Sequence, residues 1–420
     1  MNSPHEQHGN RQSVVTGIGV IAPNGANTEA FWKATKEGIS VLDTVTREGC
    51  EDLPLKVAGE VRDFDPGELI EERFLVQTDR FTHFAMAAAN LALDDALMGR
   101  ADYNRSPFAV GVVTAAGSGG GEFGQRELQR LWGQGSRYVG PYQSIAWFYA
   151  ASTGQISIRG GFKGPCGVVA SDEAGGLDAL AHAARTIRRG TDAVVVGAAE
   201  APLAPYSVVC QLGYEDLSRC PDPARAYRPF TDGACGFVPA EGGAMLVVEE
   251  RTAAEERGAR ARAELAGHAA TFTGAALWEE SREGLAHAIG GALADAGCAP
   301  EEIDVVFADA LGVAAADRAE ALALADALGP HASRIPVTAP KTGIGRAYCG
   351  APVLDIAAAV LAMESSVVPP TPNIVDVSVD LDVVTGRSRA AELRTALVLS
   401  RGLMGSNAAM VLRRCDKSPS

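Results

Sequence analysis

Runs of apolar, β-branched residues alternate along this chain with Ala-rich stretches of helical period, and that alternation restricts it to layered α/β architectures. Strands are expected at 12–17 (QSVVTG), 108–114 (FAVGVVT), 192–198 (DAVVVGA), 243–249 (GAMLVVE), 303–308 (IDVVFA) and 395–400 (TALVLS). Helices are expected at 27–37, 78–98, 122–133, 176–189, 283–296, 316–327 and 351–364. Several of these helices are Ala and Leu on every face, the pattern of an element buried between layers. A faint echo relates GGLDALAHAA (175–184) to APVLDIAAAV (351–360). Leu177 and Leu354 lie about half a chain apart, which suggests a duplicated unit. No low-complexity linker interrupts the 420 residues, so one compact body is expected.

Composition removes several function classes. The net charge of −15 argues against nucleic acid or an anionic membrane as main partner. No apolar run reaches the ~18 residues of a membrane helix. The lead-in MNSPHEQHGNRQS lacks the apolar region of a secretory signal, and a cytoplasmic location is expected. Eight cysteines and seven histidines are scattered without ligand-like spacing, so no metal and no cofactor is expected.

Three local features invite a chemical reading. ASDEAGGLDAL (170–180) places Asp172 and Glu173 ahead of a helix, where a nucleophile often stands because first-turn amides favour negative charge. Neighbouring side chains rarely face one site, and the pattern alone favours Asp172 as a helix cap with Glu173 in the first turn. GGGEFG (119–124) fits a dinucleotide-binding turn between a strand and a helix. That reading fails because no acidic residue follows about 20 positions on, and Glu122 would repel phosphate. Cys166 precedes a strand-like Val-Val, which favours a buried structural thiol over a nucleophile.

Longer motifs carry a family resemblance over nearly the whole chain. VVTGIGVIAPNG (14–25), YRPFTDGACGFVPAEGGAMLVVEE (227–250), VTAPKTGIG (337–345) and LSRGLMGSNAAMVL (399–412) resemble the β-ketoacyl synthases. The resemblance implies a thiolase-like fold: two duplicated α/β halves, 12–250 and 251–415, in a five-layer α-β-α-β-α sandwich. It also implies dimerisation through a central strand, for which 192–198 is the candidate. The position of the family's nucleophilic cysteine is Glu173. The family's two histidine positions are Asp309 and Arg346, and Lys341 is the retained lysine. A carboxylate cannot be loaded as a thioester, and without the histidines an enolate oxygen loses its donors. Condensation by this chain alone is therefore not expected.

QISIRGGFKGP (155–165), AGGLDAL (174–180) and HAARTIRRGT (182–191) resemble one branch, the chain-length factor or ketosynthase β subunit of bacterial type II polyketide synthases. That branch usually carries glutamine where Glu173 stands. The resemblance implies a heterodimer with a cysteine-bearing ketosynthase, a tunnel shaping the poly-β-ketone, and an acyl carrier protein with its phosphopantetheine-bound chain as second partner. Arg185, Arg188 and Arg189 are candidates for the carrier contact. Gly121, Gly124 and Leu128 match the bulk-controlling positions of the tunnel; two glycines leave volume there and imply a long product, about ten or more ketide units. The same glycines also suit close helix packing. Two other classes stay open: an unusual condensing or malonyl-decarboxylating enzyme using Glu173 or Cys166, and a scaffold with no tunnel.

Overall fold

The computed structural model describes residues 11–98, 106–274 and 277–415; most of the polar N-terminal lead-in lies outside them. The N-terminal half carries strands β1 (Ser13–Ile21), β2 (Val110–Ala115), β3 (Cys166–Val169), β4 (Ala193–Glu200) and β5 (Gly242–Glu250). The C-terminal half carries β6 (Ala263–Phe272), β7 (Val305–Phe307), β8 (Pro336–Thr338), a two-residue edge β9 (Asp382–Val383), β10 (Thr395–Arg401) and β11 (Ser406–Arg414). The strands run β3-β2-β4-β5-β1 in the first half and β8-β7-β10-β11-β6 in the second, with β9 outside β8. Each half has three parallel strands and two antiparallel ones at matching places. The chain has built the same sheet twice. Antiparallel pairing of Val14 with Glu264 and Val15 with Ala263 joins the two.

Helices follow the same repeat. Helix α1 (Arg80–Asp95) covers the first sheet and α5 (Ser281–Ala296) the second, while α3 (Gly175–Arg188) and α7 (Gly350–Ser365) lie between the sheets, with α2 (Gly121–Gln134), α4 (Pro205–Gln211) and α6 (Ala314–Leu328) completing the set used below. The order is thus α-β-α-β-α. Residues Gly350–Met363 of α7 are all buried, which explains its lack of a polar face. The sequence echo is real at this level, since α3 and α7 occupy equivalent places. The echoed aspartates do not share a role: Asp178 meets His268 near the surface, while Asp355 is buried against Lys341.

Close helix–sheet approach also repeats. A Cβ on Gly19 of β1 would stand 1.9 Å from the Ala88 carbonyl of α1, and one on Gly267 of β6 would stand 2.3 Å from the Ala292 carbonyl of α5. Only glycine lets either strand lie against its helix.

Two expectations need correction. Strand β4, at the place read as the dimer strand, is entirely buried and paired on both sides, by β2 and β5, so it offers no edge. The free edge of this half is β3, paired only with β2. Cys166, expected to be a buried structural thiol, is exposed on that edge, with its Sγ 3.3 Å from Ser157 Oγ.

Candidate functional site

A cavity of about 510 Å³ opens over the start of α3, lined by Gly121, Glu173, Ser207, Gln211, Tyr348 and Met404 among others. Its floor is the loop between β3 and α3. Asp172 does not cap α3, whose N-cap is Ala174 with no side-chain bond. Asp172 and Glu173 instead both reach the turn joining β10 to β11. Asp172 Oδ2 accepts from the Met404 amide at 3.0 Å and Ser406 Oγ at 3.1 Å, and Glu173 Oε2 accepts from the Leu403 amide at 2.9 Å. A Cβ on Gly402 would overlap Asp172 Oδ1, so the missing side chain there makes room for the carboxylate. Adjacent residues face one site because a turn more than 200 positions away supplies their donors.

Glu173 is 5% exposed. Burial pushes its carboxyl up to about 8 against the pull of Arg346, and the hydrogen bond and charge of Asp172 add to the rise. The shift favours the protonated carboxyl at neutral pH, which accepts from Leu403 and has a proton to offer toward Asp172. A glutamine amide would present the same acceptor and donor pair.

Beneath Glu173 lies an ion-paired cluster that includes the other vacated positions. Arg346 Nη2 meets Asp309 Oδ1 at 2.8 Å, and Arg401 Nε meets Asp309 Oδ2 at 3.1 Å. Arg401 Nη2 also meets Glu320 Oε2 at 3.0 Å, and Lys341 Nζ meets Asp355 Oδ2 at 2.5 Å. Asp309, Glu320 and Asp355 balance Lys341, Arg346 and Arg401, all six at most 3% exposed. Burial alone would raise Asp309, but Arg346, Arg401 and Lys341 hold it down near 2. Burial raises Asp355 to about 6 although Lys341 opposes it.

The backbone is strained to suit. Ala310, directly after Asp309, has φ 51° and gives its amide to Glu320 Oε2 at 2.9 Å; Tyr348 has φ 47° and hydrogen-bonds Gln211 through its hydroxyl.

The structure thus gathers Glu173, Asp309, Arg346 and Lys341 at one place. Sequence reasoning missed Arg401, Glu320 and Asp355. A signal existed for Glu320: with Ala316, Ala319 and Ala323 it falls on the buried face of α6, where an acid requires a cation. Of the three tunnel positions only Gly121 lines the cavity. The helix carries Gly124 and then Leu128 outward along the same face, and Leu128 is 41% exposed. A Cβ on Gly121 would meet the Ser207 side chain, with Oγ at 2.3 Å and Cβ at 3.7 Å, and one on Gly124 would find nothing nearer than Gln143 Nε2 at 4.0 Å. The packing glycines are their neighbours: a Cβ on Gly119 or Gly120 would strike the backbone of Trp147 or Ala146. Arg185, Arg188 and Arg189 are exposed at the far end of α3, roughly 20 Å from the cavity at 1.5 Å per residue. Among the described residues no cluster of His, Cys, Asp or Glu is arranged to hold a metal, and no helix is long and apolar enough to cross a membrane.

Residues 10–254 match the model of the β-ketoacyl synthase N-terminal domain and residues 262–375 that of the C-terminal domain. The chain belongs to the β-ketoacyl synthase family. Among curated family members it is similar to "Putative polyketide beta-ketoacyl synthase 2" of Streptomyces halstedii, 74% identical over 96% of this chain and 97% of that one. It is also similar to the tetracenomycin polyketide synthase ketoacyl synthase beta subunit of Streptomyces glaucescens, 48% identical over 96% and 98%. Among solved β-ketoacyl synthases, the ishigamide ketosynthase/chain length factor superposes with a TM-score of 0.89 at 28% identity, covering 97% of this chain and all of that one. A type II polyketide synthase acyl-carrier protein in complex with its ketosynthase bound to a hexaketide gives 0.86 at 28% identity, over 96% and 100%.

Proposed function

We propose that this chain is the ketosynthase β subunit, or chain-length factor, of a type II polyketide synthase, pairing with a cysteine-bearing ketosynthase and shaping the tunnel that sets poly-β-ketone length. The observation that carries the reading is the ion-paired state of the vacated centre. A condensing site needs a thiolate and donors aimed at a developing enolate oxygen. Here Arg346 and Arg401 spend their donors on Asp309, and Glu173 is tied to Leu403 and Asp172. Cys349, the thiol beside this loop, is buried and pushed far up by burial and by Glu200. Cys349 is therefore poorly placed to act as a thiolate at neutral pH, and the other thiol lining the cavity, the exposed Cys210, stands on α4 and not on the loop ahead of α3.

The halves 12–250 and 251–415 act as one body, and the surface the partner covers includes the free edge β3 and the exposed apolar side chains Leu128, Trp132, Trp147 and Phe148 on and beside α2. The cavity then continues along α2 past Gly121 and Gly124, and the room at both supports a long product, about ten or more ketide units. The carrier protein delivers the growing chain to the partner's cysteine. That no disulfide joins any of the eight cysteines supports a reducing, cytoplasmic setting.

One observation favours a second reading. A protonated Glu173 could donate to an enolate oxygen, as a malonyl-decarboxylating group would. Both are tested by assaying malonyl-carrier turnover with the isolated chain, with the heterodimer, and with a partner whose nucleophilic cysteine is replaced by alanine. The proposal expects carbon–carbon bond formation only with the intact partner. Condensation by the isolated chain, or decarboxylation abolished by Glu173→Ala in the alanine-partner complex, favours the second reading.

A further inference from the structure

The gating helix α2 starts in a segment poorly suited to holding a position. Five of the eight residues 117–124 are glycine, the residue that loses most freedom on ordering. The helix has no cap of its own: its N-cap is Gly120, without a side chain to accept from the first-turn amides. A helix that decides product length to within one two-carbon unit has to be seated from outside.

Two buried carboxylates from other elements do this. Glu200, at the end of β4 and fully buried, accepts from the Gly117 amide and from both the amide and hydroxyl of Ser118. Asp79, 1% exposed, caps two helices at once. Its Oδ1 accepts from the Phe81 amide of α1 at 3.1 Å, and its Oδ2 accepts from the Phe123 amide of α2 at 2.6 Å. Phe123 is itself buried, so its amide would have no water to turn to if the carboxylate left. Gln125 adds a lateral tie, accepting from the Tyr206 amide at the start of α4 at 2.8 Å. The wall opposite Gly121 is Ser207 of that same α4, so the aperture is the separation of α2 from α4.

We infer that Asp79, which lies outside the cavity, is a specificity-determining positioning residue: by clasping the first turn of α2 to α1 it fixes the aperture at Gly121 and hence the product length. The inference rests on the tunnel reading above. A merely structural Asp79 would affect how much complex forms, while a positioning Asp79 affects what the complex makes. Serine separates the two roles. It caps α1 as well as aspartate does, but its shorter side chain cannot reach the Phe123 amide.

The test is the product distribution, by mass spectrometry, of purified heterodimers carrying wild type, Asp79→Ser and Gly121→Phe, at equal complex concentration. Asp79→Ser is expected to cut the share of the dominant length by about twofold or more, with species one two-carbon unit shorter and longer taking its place, because a first-turn shift of ~1 Å loosens the aperture. If Asp79→Ser does not assemble, Asp79→Asn, which keeps the volume but loses one of two acceptors, is measured in its place and judged the same way. An unchanged distribution in an assembled Asp79 variant, alongside a shorter product from Gly121→Phe, overturns the anchor and leaves the tunnel reading standing. No change from Gly121→Phe overturns the tunnel reading itself, and the inference with it.

Discussion

Removing the Asp309 carboxylate should be among the most damaging single changes available to this chain. Asp309→Ala deletes ion pairs of 2.8 and 3.1 Å to two guanidiniums that are 1% and 0% exposed, and also the acceptor of the Arg401 amide at 2.9 Å. Arg401 keeps Glu320 at 3.0 Å. Arg346 keeps the carbonyls of Arg401 and residue 309 and still faces Tyr227 and Glu173, but it loses its direct ion pair. Breaking a buried pair from one side costs about 3–5 kcal/mol, because the remaining charge has lost its compensation. Urea unfolding of the assembled heterodimer is the assay, with Arg346→Ala and the double variant measured beside it. The double variant removes both ends and should be less destabilised than the sum of the singles by about 1.5 kcal/mol or more. Singles costing under about 1 kcal/mol, or strict additivity, would refute the claim that this centre is an interlocked charge cluster.

Other consequences follow from the same geometry. Glu173 has a raised pKa, so the folded chain holds a proton the unfolded chain has released. Its contribution to stability is present below about 4.5 and lost as pH rises toward about 8. Glu173→Gln should flatten that limb by up to ~1.4 kcal/mol per pH unit, and an unchanged pH profile of unfolding would mean Glu173 is ionised in the fold. Asp309 has the opposite sign: its stabilisation is complete above about 3.8 and lost as pH falls toward about 2, so Asp309→Asn should remove part of the acid limb between those values. Cys166 should react with a small thiol reagent in the isolated chain and be protected in the heterodimer, read by mass spectrometry; equal labelling in both would place the partner elsewhere than on β3.

The parts of the fold legible in the sequence were those whose local pattern agrees with their final state. Strands β1, β5 and β10 are β-branched and apolar, and each is buried along its full length. Strand β6 was missed because AELAGHAATF has the composition of a helix. Its strand state comes from pairing with β11 and from the close approach that Gly267 allows. The dimer strand was misplaced for a related reason: β4 looks like an edge only until β2 and β5 are known to flank it. At the site, family motifs located Glu173, Asp309 and Arg346 as replaced positions, but not that the last two bind each other across 37 residues, or that Arg401 joins from 92 residues away. The local pattern at Asp172 favoured a cap. The turn at Gly402–Ser406 wins because it brings two amides and a hydroxyl to carboxylates already short of water.

The central claim is that this chain shapes the product while another makes its bonds, and the most direct measurement is the length of the polyketide made when the shape alone is changed. In Gly121→Phe combined with Gly124→Thr, the first added Cβ meets Ser207, with Oγ at 2.3 Å and Cβ at 3.7 Å, and the second meets Gln143 Nε2 at 4.0 Å; a serine rotamer change relieves the Oγ contact. With the partner ketosynthase and carrier protein unaltered, mass spectrometry should find the heterodimer intact and the product shortened by at least one two-carbon unit. An intact heterodimer releasing a product of unchanged length would contradict the account.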